Sequence, residues 1–369
     1  MSCGARRHGR LPPRPNGLGA LLLGLAALGA CADPPPPPLL RAGTAEALPP
    51  AALVFAFDPD GDGVDELVTV DSARAPATLR WSGGTQALPG VVQRALRVKL
   101  GQDAKETLLI ATGAGPGAPD ATATLSALGP AGLEPRWSSA GPRAQITELR
   151  WHENKLFIAH FADERAVESG FLDPSAGPGG GLTDRLRVHM GMRQLPLPNG
   201  RRAVGTLYGE LPKSDGGLLI VERDGQRRSL PSLRGVRALA SANLDRDPSP
   251  ELIVGDGWHA EYGRSAQARL RIFEGPSLNL ARTAAVLDGS YAVIDVQAVG
   301  EGPGACLLAT GSHAVHLLCR DALGWADQRL GPVGETGNAA LVRGKNGVQV
   351  AISGDPCLLL PLSAEPTAR

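Results

Sequence analysis

The stretch Phe57–Val68, FDPDGDGVDELV, puts aspartates at 58, 60 and 62, a glycine at 63 and a further acid at 66. Alternate residues of a tight loop can converge on one point, and Ca²⁺ accepts six to eight oxygens in adaptable geometry. Asp58, Asp60, Asp62 and Glu66 would supply carboxylates, Val64 its carbonyl, and Gly63 the sharp turn. Mg²⁺ fits less well, because it demands a stricter octahedron and keeps its waters. A helix–loop–helix calcium hand needs a bidentate acid at the twelfth position, where Thr69 stands. The runs LVFAF before and ELVTV after the loop read as strands, so the loop joins two strands.

A second, degenerate loop keeps Asn243, Asp245, Asp247 and Glu251 in the same spacing, with Pro248 in place of the turn glycine. Proline cannot take the left-handed conformation that a glycine allows there.

Another group of chemically capable residues is Asp256, Trp258, His259, Glu261, Tyr262 and Arg264, with an echo at Tyr208 and Glu210. Aromatic faces with hydrogen-bonding rims suit a glycan, a peptide or a partner's loop. The bland reading is packing: Trp258 and Tyr262 plug a channel mouth, and His259 satisfies a carbonyl. His259 and Glu261 could also do acid–base work in an enzyme. The chain shows no G-x-S-x-G, no H-E-x-x-H and no phosphate loop.

The elements that must position these groups recur. A strand-like run, a polar turn and a second such run return seven times, the first runs starting at Leu67, Leu108, Leu156, Ala203, Glu251, Cys306 and Val348. Their mates are 77–81, 121–128, 170–172, 217–221, 268–273, 314–319 and 357–362. The mean period is about 47 residues, that of a four-stranded propeller blade. Gly (48) and Pro (32) punctuate the runs, as expected of an all-β chain with many turns. The spacing therefore predicts an all-β, seven-bladed β-propeller over 50–369, with six or eight blades as alternatives. The one helix-like stretch is short, around 260–269. The last unit lacks an outer strand, so residues 39–49 are expected to complete it as a clasp.

A strand, D-x-D-x-D-G-x-x-E-L and a second strand closely resemble the FG-GAP or VCBS repeat of integrin-α-like propellers. That resemblance implies a structural Ca²⁺ that ties a hairpin loop and fixes blade geometry.

The N-terminus reads as an address. Arg6, Arg7, Arg10 and Arg14 precede the apolar run 18–30, which is too short to span a bilayer but suits a secretory signal. The run ends in Leu-Gly-Ala-Cys31, which resembles the bacterial lipobox; the resemblance implies cleavage after residue 30 and a lipid on Cys31. Ala32 at the next position implies, by the same resemblance, sorting to the outer membrane. Five prolines at 34–38 are stiff and extended, so 31–49 is expected as a tether. With Cys31 lipidated, Cys306, Cys319 and Cys357 remain in an oxidising compartment. Cys306 and Cys319 either form a disulfide or stay free, and Cys357 is a competing partner.

Thirty-seven basic and thirty-seven acidic residues leave no net charge and no general electrostatic reason to bind nucleic acid. The sequence thus leads to a lipid-anchored, calcium-stabilised propeller that binds a protein or glycan at the cell envelope. The alternative is an envelope lyase or hydrolase acting on polysaccharide or lipid.

Overall fold

The computed structural model describes residues 39–100, 105–139, 143–162, 166–173, 180–206, 217–230, 235–245, 247, 249–257, 267–275, 277–320, 324–334 and 336–364. Two short strands, β1 (Leu40–Ala42) and β2 (Glu46–Leu48), come first. Blade 1 is β3 (Leu53–Phe57), β4 (Glu66–Val70), β5 (Thr78–Trp81) and β6 (Gly84–Ala87). Blade 2 is β7 (Val91–Val98), β8 (Thr107–Gly113), β9 (Thr124–Gly129) and β10 (Gly132–Ser138). Blade 3 is β11 (Ile146–His152), β12 (Lys155–Phe161), β13 (Ala166–Leu172) and β14 (Thr183–His189). Blade 4 is β15 (Arg193–Pro196), β16 (Arg202–Gly205), β17 (Leu218–Val221) and β18 (Arg227–Leu230). Blade 5 is β19 (Val236–Ala242), β20 (Glu251–Asp256), β21 (Ala268–Glu274) and β22 (Asn279–Leu287). Blade 6 is β23 (Val293–Val299), β24 (Cys306–Gly311), β25 (Ala314–Arg320) and β26 (Trp325–Pro332). Blade 7 is β27 (Ala339–Gly344), β28 (Gly347–Ile352) and β29 (Cys357–Ala364).

Each blade is an antiparallel meander, and together they make the expected all-β, seven-bladed propeller. Helix among the described residues is confined to 3₁₀ turns such as Pro198–Gly200 and Gly302–Gly304. The seven paired runs of the sequence are the second and third strands of the seven blades. The helix-like stretch around 260–269 lies mostly outside the described residues, and Ala268 and Arg269 begin β21.

Both N-terminal strands pair with β29, Leu40 opposite Ala364 and Leu48 opposite Cys357. The expected clasp is thus formed, and part of 31–49 belongs to the ring. Without it, β29 would present an open edge ready to pair with another chain. On blade 6, Cys306 and Cys319 face each other across β24 and β25 and are joined by a disulfide, while Cys357 is a buried free thiol.

The core is a series of apolar layers between successive blades. Blades 1 and 2 share Leu53, Val68, Leu79, Leu108 and Ile110, and blades 5 and 6 share Ile253, Leu270, Val296 and Leu307. The layer between blades 7 and 1 is thinner, built on Val54, Ala56, Ala340, Val342 and Ala351. Polar stitching reinforces this seam, where the ring closes. The Asn338 side chain acts like a strand neighbour, donating from Nδ2 to Val54 O at 2.6 Å and accepting from Val54 N at 2.8 Å. Ala51 and Gly354 exchange backbone hydrogen bonds of 2.8 and 3.0 Å.

Candidate metal loops and central channel

The loop between β3 and β4 gathers its first three aspartates. One carboxylate oxygen from each of Asp58, Asp60 and Asp62 lies within 4.8 Å of the others. The backbone curls around them: Gly61 N and Gly63 N donate to the two oxygens of Asp58 at 2.7 and 2.9 Å. Asp62 N donates to Asp60 and Val64 N to Asp62. Gly61 and Gly63 both have positive φ, +83° and +86°, which a side-chain-bearing residue adopts at a cost. Burial works to raise the Asp58 carboxyl. The N–H groups of Gly63 and Gly61, helped by Asp60 and Arg343, nevertheless hold it below its ordinary value. Three carboxylates crowded together, with Arg343 Nη2 at 3.8 Å from Asp58, offer an all-oxygen, anionic donor set that fits a hard divalent cation. Bound Ca²⁺ would supply the positive charge that this trio shares too little of. Glu66 stands outside the trio, its carboxylate accepting from Ser82 Oγ.

Asp65, which sequence reasoning passed over, is tied elsewhere. Its side chain is fully buried, and it accepts from Arg343 Nε at 2.9 Å, Arg343 Nη2 at 2.6 Å and Arg97 Nη1 at 2.7 Å. Glu106 completes the cluster, 2.9 Å from Arg343, 3.4 Å from Arg97, and accepting from Asp58 N at 3.1 Å. Blades 7, 1 and 2 therefore meet in one ionic knot directly beneath the aspartate loop. The hydrogen bond to Asp65, together with the charges of Asp65 and Glu106, raises the Arg343 pKa despite its partial burial.

The second loop, between β19 and β20, brings Asp245, Asp247 and Glu251 within the same 4.8 Å. Asn243 braces it, Oδ1 accepting from Asp245 N and Nδ2 donating to Asp247 O at 2.7 Å. Glu251 is buried and accepts from Leu244 N at 2.6 Å. Burial first, then Asp245 and Asp247, push its carboxyl above the usual value. Pro248 lies outside the described residues.

Of the aromatic group, Trp258, His259, Glu261, Tyr262 and Arg264 lie outside the described residues, as do Tyr208 and Glu210. Asp256 is described: it is buried at the end of β20, accepts from Arg269 N at 2.9 Å and pairs with Arg271 at 3.1 Å. Cys31 also lies outside the described residues.

The central channel holds charged side chains that the sequence reading did not single out. The inner strands β7, β11, β19 and β23 each carry a bulge, in which pairing skips Gln93, Thr147, Arg237 and Ile294. A bulged residue leaves the ladder and frees its carbonyl. Arginines take up three of the freed carbonyls. Thr147 O accepts from Arg94 Nε at 3.0 Å and Arg193 Nη1 at 2.7 Å. Arg237 O accepts from Arg193 Nε at 2.6 Å, and Gln93 O from Arg94 Nη1 at 2.9 Å. Arg150 reaches across to Leu239 O at 2.7 Å. These ties knit the inner strands of blades 2 to 5.

The inner strands of blades 6, 7, 1, 2 and 3 instead wall a cavity of about 520 Å³. Buried Glu148 lines it and pairs with Arg150 at 3.1 Å. Burial, with Asp295 adding, raises the Glu148 carboxyl against the pull of Arg150 and Arg94. The signal in the sequence is a charged residue in the strand preceding six of the seven paired runs, all but β3.

No protein-family model and no curated protein matches the sequence. Among solved structures, the chain is similar to one described as "Crystal structure of BBS1N in complex with ARL6DN, soaked with mercury". The two are 12% identical, the match covers 89% of this chain and 98% of that one, and the TM-score is 0.57. At that identity the likeness bears on the fold alone, and it agrees with a seven-bladed ring.

Proposed function

We propose that this chain is a lipid-anchored, calcium-stabilised propeller of the FG-GAP or VCBS kind, acting as a ligand- or protein-binding module at the bacterial cell envelope. The observation that carries the reading is the convergence of Asp58, Asp60 and Asp62 on a strand-to-strand loop, with Asp58 held in its charged form. Calcium there stiffens the loop that borders the ring seam, and the aromatic and polar residues around Trp258 supply the chemistry for a partner. The solved propeller it resembles was crystallised in complex with another protein, which supports a binding role. Cys31 carries the anchor, and no helix among the described residues is long and apolar enough to cross a membrane.

The anchor is tested by labelling cells with an alkyne palmitate analogue. The wild type takes up label and fractionates with outer membranes, whereas Cys31→Ser is unlabelled and released; equal labelling of both removes the anchor. Binding is tested by site-specific photo-crosslinking from position 258 in intact cells. A discrete adduct that disappears when the crosslinker is moved to exposed Asp224, on the outer strand side, supports the reading; equal capture from both positions opposes it.

A further inference from the structure

The cavity in the channel presents two opposite charges that the protein itself leaves half-used. Arg94 is half-buried in its wall and spends Nε and Nη1 on the carbonyls of Thr147 and Gln93. Its Nη2 has no partner among the described residues. Asp295, also half-buried in the wall, accepts from Gln297 Nε2 at 3.0 Å through Oδ2. Its Oδ1 has no donor among the described residues.

The same wall carries apolar Leu53, Phe55, Val92 and Leu341. Every residue of β7 from Val91 to Arg97 is half-buried although the strand is innermost, because this side of the channel is open space and not packed core. At about 520 Å³ the cavity falls within the range of roughly 300–1,000 Å³ typical of small-molecule sites.

The charge pattern narrows the occupant. A simple anion would satisfy Arg94 but meet the carboxylates of Asp295 and Glu148. A simple cation would satisfy Asp295 but meet the guanidinium groups of Arg94, Arg97 and Arg150. A neutral apolar molecule would strand both unengaged atoms away from water, at a cost for each. A molecule carrying both charges with an apolar body between or beside them leaves nothing unpaired.

We propose that the channel cavity binds a small zwitterion of the amino-acid or short-peptide class, its carboxylate on Arg94, its ammonium on Asp295 and its side chain against Phe55. This site shares no lining residue with the metal loops, and it requires neither calcium nor the lipid anchor.

The test is calorimetric titration of the full chain in detergent with leucine, phenylalanine, Leu-Leu and Ala-Phe, and with the N-acetyl and C-amide form of each. At least one free zwitterion should bind with a Kd below about 1 mM, and capping either end should weaken it at least about tenfold. Asp295→Asn keeps an oxygen for Gln297, so it should fold and melt like the wild type. It should weaken the free dipeptide about tenfold and leave the N-acetyl form unchanged. Arg94→Gln should do the same for the carboxylate end, and if it unfolds, the Asp295→Asn result stands alone. No heat from any of the free zwitterions at 10 mM (about ten times the expected upper limit), or equal binding of capped and uncapped forms, overturns the proposal. So does undiminished affinity in Asp295→Asn. Because no arm involves metal or membrane, loss of calcium binding or of the anchor would leave this result intact, and the reverse also holds.

Discussion

Asp65 and Arg343, 278 positions apart, lock the first blade to the last: Nε and Nη2 of the arginine both reach Oδ1, and Arg343 N donates to Oδ2 at 2.7 Å. The apolar layer at this seam is thin, so the pair carries a disproportionate share of ring closure. Arg343→Ala should leave a fully buried carboxylate with Arg97 and a backbone N–H as its remaining partners, and losing hydrogen bonds to such a charged group costs about 1.5–3 kcal/mol. Urea denaturation should show that loss. A change under about 0.5 kcal/mol, the size of an ordinary surface substitution, would mean the seam is held by other contacts.

The N-terminal clasp makes a separate prediction. Deleting residues 39–48 bares the edge of β29 and uncovers Leu330, Leu358 and Leu362, which pack in the same layer as Leu40. The truncated chain should melt lower and scatter light increasingly with concentration, as an open edge recruits other chains. A truncated chain that stays monomeric at the wild-type midpoint would show the clasp to be dispensable.

Glu148 predicts a pH dependence of definite sign. Its folded pKa is raised, first by burial and then by Asp295, so the folded state holds the proton more tightly than the unfolded one. The associated stability is fully present below the unfolded carboxylate pKa, about 4.3, and is lost as pH rises through the raised folded value. Glu148→Gln removes that loss. Its stability relative to the wild type should therefore improve steadily as pH rises from about 4 to about 7. A difference that stays flat or reverses over that range would contradict it.

Asp58 gives the opposite slope. Its folded pKa is depressed, so its contribution is present above the unfolded value near 3.9 and fades as pH falls through the lower folded one. In metal-free buffer, Asp58→Asn should flatten the acid limb of the stability curve below about pH 4. An acid limb identical to the wild type's would assign the acid sensitivity to other carboxylates.

The sequence made much of this architecture legible and left the channel dark, for a physical reason. Second strands such as β8 and β24 are buried on both faces, so they appear as apolar runs, LLIAT and LLATG, between turn residues. The first strands face the channel and, β3 apart, mix charge with apolar residues, as in VVQRALRV and ITELRWH. Their bulges and arginine ties depend on partners in neighbouring blades that no local spacing encodes. The same holds for Asp65. It sits within a run of acids that reads as one metal loop, and only the return of Arg343 at the far end of the chain reassigns it. The alternation of Asp58, Asp60 and Asp62 is local chemistry, and the loop does bring them together. Glu66, one strand position later, is instead drawn to Ser82 on the neighbouring strand side.

The most direct measurement is the melting midpoint of the full chain in EDTA and in added Ca²⁺. At a Ca²⁺ concentration about 100 times its Kd, binding to the folded state adds about 2.7 kcal/mol, which raises the midpoint of a chain this size by about 4 °C. Mg²⁺ should do much less, and Asp58→Asn should abolish the response. Identical midpoints in EDTA and Ca²⁺, or a calcium shift that survives Asp58→Asn, would contradict a calcium-stabilised first blade.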